Sequence, residues 1–162
     1  MITLVYALIL GVGATVIMDV FALIIKKIWQ IPSLDYALLG RWLGHISRGT
    51  FRHSSIIQAT PFYKERQIGW LAHYTIGIAF AYLLLLIWGV AWLTTPTFWP
   101  AMIIGLGTTL APWFIMQPAF GFGVAASKTP NPPLARFRSL QAHFMYGLGL
   151  YLTGWIMASL LF

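Results

Sequence analysis

Four apolar stretches, each long enough to cross a lipid bilayer, constrain the fold of this chain more than any other feature. They cover roughly residues 2–25, 67–93, 98–122 and 139–162, and about 20 apolar residues suffice for a membrane-spanning helix. Because backbone polar groups inside lipid must be satisfied within the segment, such stretches predict helices. We therefore expect an all-α membrane protein with four transmembrane helices, folded as a single domain over residues 1–162.

The composition excludes a soluble globular domain. Of the 162 residues, 59% are hydrophobic and 8% are charged, whereas soluble domains carry about 25% charged residues. The chain has no cysteine, so neither disulfides nor thiolate chemistry are available to it. The net charge is +7, and the ten basic residues lie only between the apolar stretches, which indicates membrane topology. We expect no nucleic-acid partner.

Basic residues mark two of the three connections between the spans. The first connection, 26–66, and the third, 123–138, hold all ten Lys and Arg residues, and the second, near 94–97, holds none. Connections rich in Lys and Arg stay in the cytoplasm. We predict that both termini face the opposite side, which is periplasmic or extracellular.

The first connection contains a predicted interfacial helix over about 34–48. Ser33 is the expected N-cap, and Asp35 falls in the first turn, where the helix dipole favours an anion. One face of this helix is basic, and we expect it to lie on anionic lipid headgroups. Binding of a phosphate or a carboxylate is the alternative for this stripe. Its members are Arg41, His45, Arg48 and Arg52.

The third span is predicted to be irregular. Pro112 and Pro118 each remove one helix hydrogen bond, and Gln117 places an amide between them. Broken helices in membranes often line binding sites, although prolines are also ordinary in membrane spans. The following stretch, 121–133, is rich in proline and glycine and predicts an irregular cytoplasmic loop.

A short histidine pattern occurs twice and indicates an internal repeat. Residues 72–77 (AHYTIG) resemble 142–147 (AHFMYG), and residues 11–16 (GVGATV) in the first span resemble 105–110 (GLGTTL) in the third. Two matches in the same order suggest that spans one and two are repeated as spans three and four. Two spans per unit give both units the same orientation, with a pseudo-two-fold axis along the membrane normal.

His73 and His143, the histidines of this pattern, are the principal candidates for a functional site. Each lies seven residues after an arginine, about 10 Å into its span. Asp19 lies seven residues before Lys26 on a helix that runs the other way, so it reaches the same depth. Ionisable side chains inside a span are costly and mark functional sites. We predict that the three side chains meet in the cytoplasmic half of the bundle.

Several neighbours are assigned supporting roles around these three residues. Small or polar residues line the same helix faces: Thr15, Gln117, Gly69, Gly77 and Gly147. Two arginines, Arg66 and Arg136, are expected at the cytoplasmic rim. His45 and His53 become additional ligands if the first connection folds over the bundle.

A metal centre for redox chemistry is the first functional hypothesis. Two histidines and a carboxylate match the ligand set of mononuclear iron sites, and facing histidines can be axial ligands of a b-type haem. We expect the glycines beside the histidines to leave room for the flat haem ring. Arg66 and Arg136 would neutralise its propionates. The expected cofactor is therefore a transition metal or a b-type haem.

Two other hypotheses use the same residues. In the second, Asp19, His73, His143 and Gln117 form the site of a proton- or cation-coupled transporter of small solutes. Four helices are few for this task, which favours a homodimer. In the third, the histidines only hydrogen-bond neighbouring helices, and the chain is a structural membrane subunit. A Soret band would favour haem, and a colourless, metal-free protein would favour transport.

Four short segments resemble a bacterial membrane family, the domain of unknown function 2938. They are GRWLGH at 40–45, GWLAHY at 69–74, QPAFG at 117–121 and TPNP at 129–132. The resemblance covers nearly the whole chain. It implies a small four-span protein of the bacterial inner membrane and assigns no activity or site residue.

Overall fold

The computed structural model describes residues 2–31 and 34–161, and every regular element in these ranges is helical. Four helical stretches are long and apolar enough to cross a membrane: Ile2–Trp29, Glu65–Trp88, Phe98–Phe120 and Pro132–Leu161. The prediction of an all-α protein with four such helices is confirmed.

The described residues form six α-helices. They are α1 (Ile2–Trp29), α2 (Tyr36–Ile46), α3 (Glu65–Trp88), α4 (Phe98–Gly107), α5 (Gln117–Phe120) and α6 (Pro132–Leu161). The third span consists of α4, a π-helical turn over Pro112–Met116, and α5. Short 3-10 turns cover Val90–Leu93 and Val124–Ala126.

Two span boundaries differ most from the prediction. The second span ends at Trp88 instead of residue 93, because Gly89 adopts a φ of +78°. The fourth span begins at Pro132 instead of residue 139, because the Asn131 side chain caps the helix by accepting the Leu134 N–H at 3.2 Å. A proline in the first turn is compatible with a helix start, since its missing N–H has no partner there. The predicted irregular loop therefore ends at residue 131.

The start of α2 also differs from the prediction. Asp35 is the N-cap, and its side chain accepts the Ala37 N–H at 3.0 Å. Ser33, the predicted cap, lies outside the described residues. The helix ends at Ile46, two residues before the predicted end.

The described residues form two compact units. The first comprises residues 2–31, 74–108 and 140–161, and its helices cross at small residues. A Cβ on Gly11 would lie 2.5 Å from Ile78 Cα, and one on Gly105 would lie 2.5 Å from Gly147 Cα. Equivalent positions of the predicted repeat thus make equivalent crossings, α1 with α3 and α4 with α6. The repeat itself stays a prediction. The fully buried core includes Ala7, Leu10, Ala14, Leu84, Leu93 and Leu150.

The second unit comprises residues 34–73 and 109–139. Its core consists of Leu39, Trp42, Ile56, Ala119 and Phe120. The helices α2 and α3 cross at two glycines: a Cβ on Gly40 would enter the Glu65 carbonyl, and one on Gly69 would enter the Tyr36 carbonyl. The single-domain organisation of the whole chain stays a prediction.

Arg41 fastens the loop between α2 and α3. Its guanidinium donates to both carboxylate oxygens of Glu65, at 2.8 and 2.9 Å, and to the carbonyls of Ile56, Ile57 and Ala59 at 3.1 Å each. These Glu65 hydrogen bonds raise the pKa of the Arg41 side chain, so it stays charged. Only 12% of the side chain is exposed. Arg41, a member of the predicted basic stripe, is therefore bonded to other residues within the protein.

Candidate functional site

Asp19 and His143 both lie in the first unit, and each contacts a hydroxyl group. The Tyr74 hydroxyl donates to Asp19 Oδ2 at 3.0 Å. Thr108 Oγ1 lies 3.0 Å from His143 Nδ1 and donates its own hydrogen to the Gly105 carbonyl at 2.8 Å. This contact holds the His143 ring beside Thr108, at the C-terminal end of α4.

His73 lies in the second unit, where aromatic rings surround it. Its ring stacks on Tyr36 with a centroid distance of 4.1 Å and an interplanar angle of 23°. Trp70 meets it edge-on at 5.9 Å. The sharing of one site by His73, His143 and Asp19 stays a prediction.

The described part of the chain contains no group of three His, Asp or Glu side chains that could hold a metal ion. The glycines expected to make room for a haem ring face protein atoms. Cβ atoms at Gly69, Gly77 and Gly147 would meet, respectively, the Tyr36 carbonyl, Thr15 Oγ1 and the Ala101 carbonyl. These glycines therefore serve helix packing.

The remaining supporting residues have separate roles. The Thr15 hydroxyl donates to the Gly11 carbonyl at 2.7 Å and is buried. Arg136 Nε donates to the Ala125 carbonyl at 2.8 Å, whereas Arg66 is exposed. The two arginines are thus used differently, although both precede a histidine by the same spacing.

His45 and His53, the two additional ligand candidates, contact each other. His45 Nδ1 lies 2.7 Å from His53 Nε2, and His45 Nε2 lies 3.0 Å from the Thr60 carbonyl. Both ring nitrogens of His45 are therefore engaged, and the two residues form a hydrogen-bonded pair in the second unit. Their role as additional ligands stays a prediction.

A stripe of buried polar atoms follows the irregular third span. Thr109, Trp113 and Gln117 are spaced four residues apart along this span. Thr109 is 2% exposed. Thr109 Oγ1, Trp113 Nε1 and Gln117 Oε1 are all buried and have no hydrogen-bond partner among the described residues. We call these three side chains the polar stripe.

Comparison with known families identifies the chain. A family model described as "Protein of unknown function (DUF2938)" matches residues 8–157. The chain belongs to this family. No curated protein and no solved structure matches the DUF2938 chain. The function is therefore inferred from the side chains of this protein itself.

Several residues of this DUF2938 protein were missed as candidates. Tyr36, Tyr74 and Thr108 contact the predicted site residues. The four-residue spacing of Thr109, Trp113 and Gln117, by contrast, was a usable signal and predicts one inward-facing stripe on the third span. Tyr36 had none, because its contact with His73 joins residues that are distant in the sequence.

Proposed function

We propose that this protein binds a small, neutral, polar solute at the polar stripe and carries it across the membrane. The observation that supports this is the burial of three polar atoms without partners. Each unpaired buried polar group costs about 1–3 kcal/mol, and native proteins usually meet such groups with water or a ligand. Three such groups at regular spacing on one helical segment favour a binding site.

The chemistry of the polar stripe suggests the class of solute. The Thr109 hydroxyl donates or accepts, the Trp113 indole N–H donates, and Gln117 Oε1 accepts. None of the three is charged, so the matching solute is neutral and carries both donors and acceptors, as a polyol or a simple amide does. The stripe extends over roughly 10 Å along the helix, which suits a small molecule.

The backbone of the third span supports the same proposal. Pro112 and Pro118 have no N–H, and between them the helix widens into a π turn over Pro112–Met116. π turns within helices are frequent at functional sites, and interrupted helices line the binding sites of many transporters. Gly121, at a φ of +88°, ends the segment.

Solute flux through reconstituted vesicles tests this proposal. The full-length protein is placed in vesicles of phosphatidylethanolamine and phosphatidylglycerol, and entry of glycerol or urea is followed by stopped-flow light scattering. We expect faster entry of at least one probe than into empty vesicles, and loss of the difference in Gln117→Leu. Thr153→Val, a buried threonine outside the stripe, is the matched control and should keep the flux.

Stability gives a test that needs no probe solute. If water or solute meets Thr109 Oγ1, Thr109→Val removes a satisfied hydroxyl and should lower the free energy of unfolding by about 1 kcal/mol. If the stripe is dry, the same change removes an unpaired polar group and stabilises the protein. Stabilisation by Thr109→Val would contradict the proposal.

We also propose an oligomeric state, a membrane and a topology for the transporter. Four spans offer few surfaces for a pathway, so we propose a homodimer in the bacterial inner membrane. Lys26 and Lys27 lie in the last turn of α1. We propose that the basic first and third connections lie in the cytoplasm, with both termini on the other side of the membrane.

Haem or metal binding is the second candidate function. His143 supports it, because imidazole is a common ligand of haem iron and of transition metals. Absorbance and elemental analysis of the purified protein test it. A Soret band that disappears in His143→Ala but persists in His53→Ala would support haem, and colourless, metal-free protein would exclude it.

A further inference from the structure

Arg138 of α6 carries a buried nitrogen that is not paired within the protein. Its Nε is buried and has no hydrogen-bond partner among the described residues, although the residue as a whole is partly exposed. A guanidinium keeps its charge and its five N–H donors in proteins. Because a charged donor that is buried without an acceptor is especially costly, an acceptor is expected at this nitrogen.

The acidic side chains of the chain are engaged elsewhere. Asp19, Asp35 and Glu65 are its only three acidic residues. The Asp19 carboxylate accepts a tyrosine hydroxyl at 3.0 Å, and the Asp35 carboxylate caps α2. The Glu65 carboxylate pairs with Arg41 at 2.8 Å. The ten Lys and Arg residues outnumber these acids, so a counter-charge for the Arg138 guanidinium has to come from outside the chain.

Arg136, two residues earlier on α6, differs from Arg138 at the same atom. The Arg136 Nε donates to the Ala125 carbonyl at 2.8 Å, so that edge of its guanidinium is already used. The Nε of Arg138 is not used by any described residue. An arginine whose Nε and one terminal nitrogen are both available can bind two oxygens of a carboxylate or a phosphate at once. Of the two arginines, Arg138 therefore offers the better anion site.

Exposed apolar side chains adjoin Arg138 and indicate the kind of anion. Leu134, one helical turn before it, is 41% exposed, and Phe137, the preceding residue, is 61% exposed. Arg136, also exposed, adds positive charge to the same turn. Basic residues beside exposed aromatic and aliphatic residues are typical of a protein surface in contact with anionic lipid headgroups. Acyl chains would cover Leu134 and Phe137, which a free anion would leave in water.

We propose that Arg138 binds the phosphate group of an anionic phospholipid whose acyl chains lie against Leu134 and Phe137. Two phosphate oxygens accept from Nε and from one terminal nitrogen of the guanidinium, whose planar fork matches their spacing. Because the residue is partly exposed, the headgroup reaches the guanidinium from outside the protein. The site uses no residue of the polar stripe and is independent of the proposed function.

Lipid binding to the purified full-length protein in a neutral maltoside detergent tests this site. The probes are dioleoylphosphatidylglycerol and dioleoylglycerol, which has the same acyl chains but no phosphate, and bound lipid is quantified by native mass spectrometry. Inorganic phosphate, which has no acyl chain, is added as a competitor. We expect phosphatidylglycerol to bind more tightly than dioleoylglycerol and to stay bound in inorganic phosphate. Equal binding of the two lipids would overturn the proposal, and displacement by inorganic phosphate would overturn the assignment to a lipid.

Two variants of α6 separate a specific site from general charge attraction. Arg138→Gln should weaken phosphatidylglycerol binding about tenfold or more, because a charge-assisted pair of hydrogen bonds is lost. Arg136→Gln removes the same charge two residues away and is the matched control, which should weaken binding only about twofold. Equal weakening in the two variants would overturn the proposal.

Stability without lipid separates a binding role of Arg138 from a structural one. Since its Nε has no partner to lose among the described residues, Arg138→Gln should leave the thermal unfolding midpoint of the lipid-free protein unchanged or raise it. Added phosphatidylglycerol should raise the midpoint of the unmodified protein more than that of Arg138→Gln. A lower midpoint of the lipid-free variant would indicate an internal role and overturn the proposal. None of these measurements depends on glycerol or urea flux, so failure of solute transport is scored separately.

Discussion

Two glycines on α4, two residues apart, provide a matched test of how the first unit is packed. A Cβ at Gly105 would lie 2.5 and 2.7 Å from Gly147 Cα and N, and 2.8 Å from the His143 carbonyl. All three atoms belong to the α6 backbone, which cannot rotate away as a side chain can. A Cβ at Gly107 would meet no atom within 4 Å.

The expected energies follow from these contacts. Overpacking a close contact costs about 1–3 kcal/mol, whereas replacing a helical glycine with alanine gains about 1 kcal/mol from lower backbone entropy in the unfolded chain. Gly105→Ala should therefore lower the free energy of unfolding by as much as about 2 kcal/mol. Gly107→Ala should raise it by as much as about 1 kcal/mol.

Both variants are measured by denaturant unfolding in the same mixed micelles, with tryptophan fluorescence as the signal. The crossing also holds Thr108 beside His143, so Gly105→Ala should shift the nitrogen-15 resonance of His143, and Gly107→Ala should not. Equal changes in stability for the two variants would refute the close approach of α4 and α6.

Two further predictions concern single hydrogen-bonding side chains. Arg41→Lys keeps the charge but cannot form the bidentate contact with Glu65. It should therefore lower the free energy of unfolding by about 1–3 kcal/mol. Arg52→Lys, at an exposed position, is the control and should have no effect. The buried Tyr146 hydroxyl donates to a carbonyl of α3 at 2.6 Å. Tyr146→Phe should lower the free energy of unfolding by about 1 kcal/mol. Tyr63→Phe, at a position 78% exposed, should leave it unchanged. Equal losses of stability in the two variants would contradict this contact.

Local chemistry made part of the site predictable. Pro112 and Pro118 lack the N–H that a regular helix needs, so the irregular third span could be inferred from residue types. The four-residue spacing of Thr109, Trp113 and Gln117 likewise indicated one helix face, and a polar atom of each of these side chains is buried. The absence of partners for the polar atoms on that face depends on everything around it and could not be inferred.

The sequence by itself determined the four apolar helices, because hydrophobic length and the need to satisfy backbone hydrogen bonds in lipid are properties of each segment alone. Only the tertiary structure decided which side chains meet. His45 pairs with His53, and Arg41 with Glu65, because the first connection folds back on α2 in one particular path. The glycines beside the histidines pack against other helices. The atoms next to each glycine come from distant parts of the chain, so the local sequence around the glycine could not predict them.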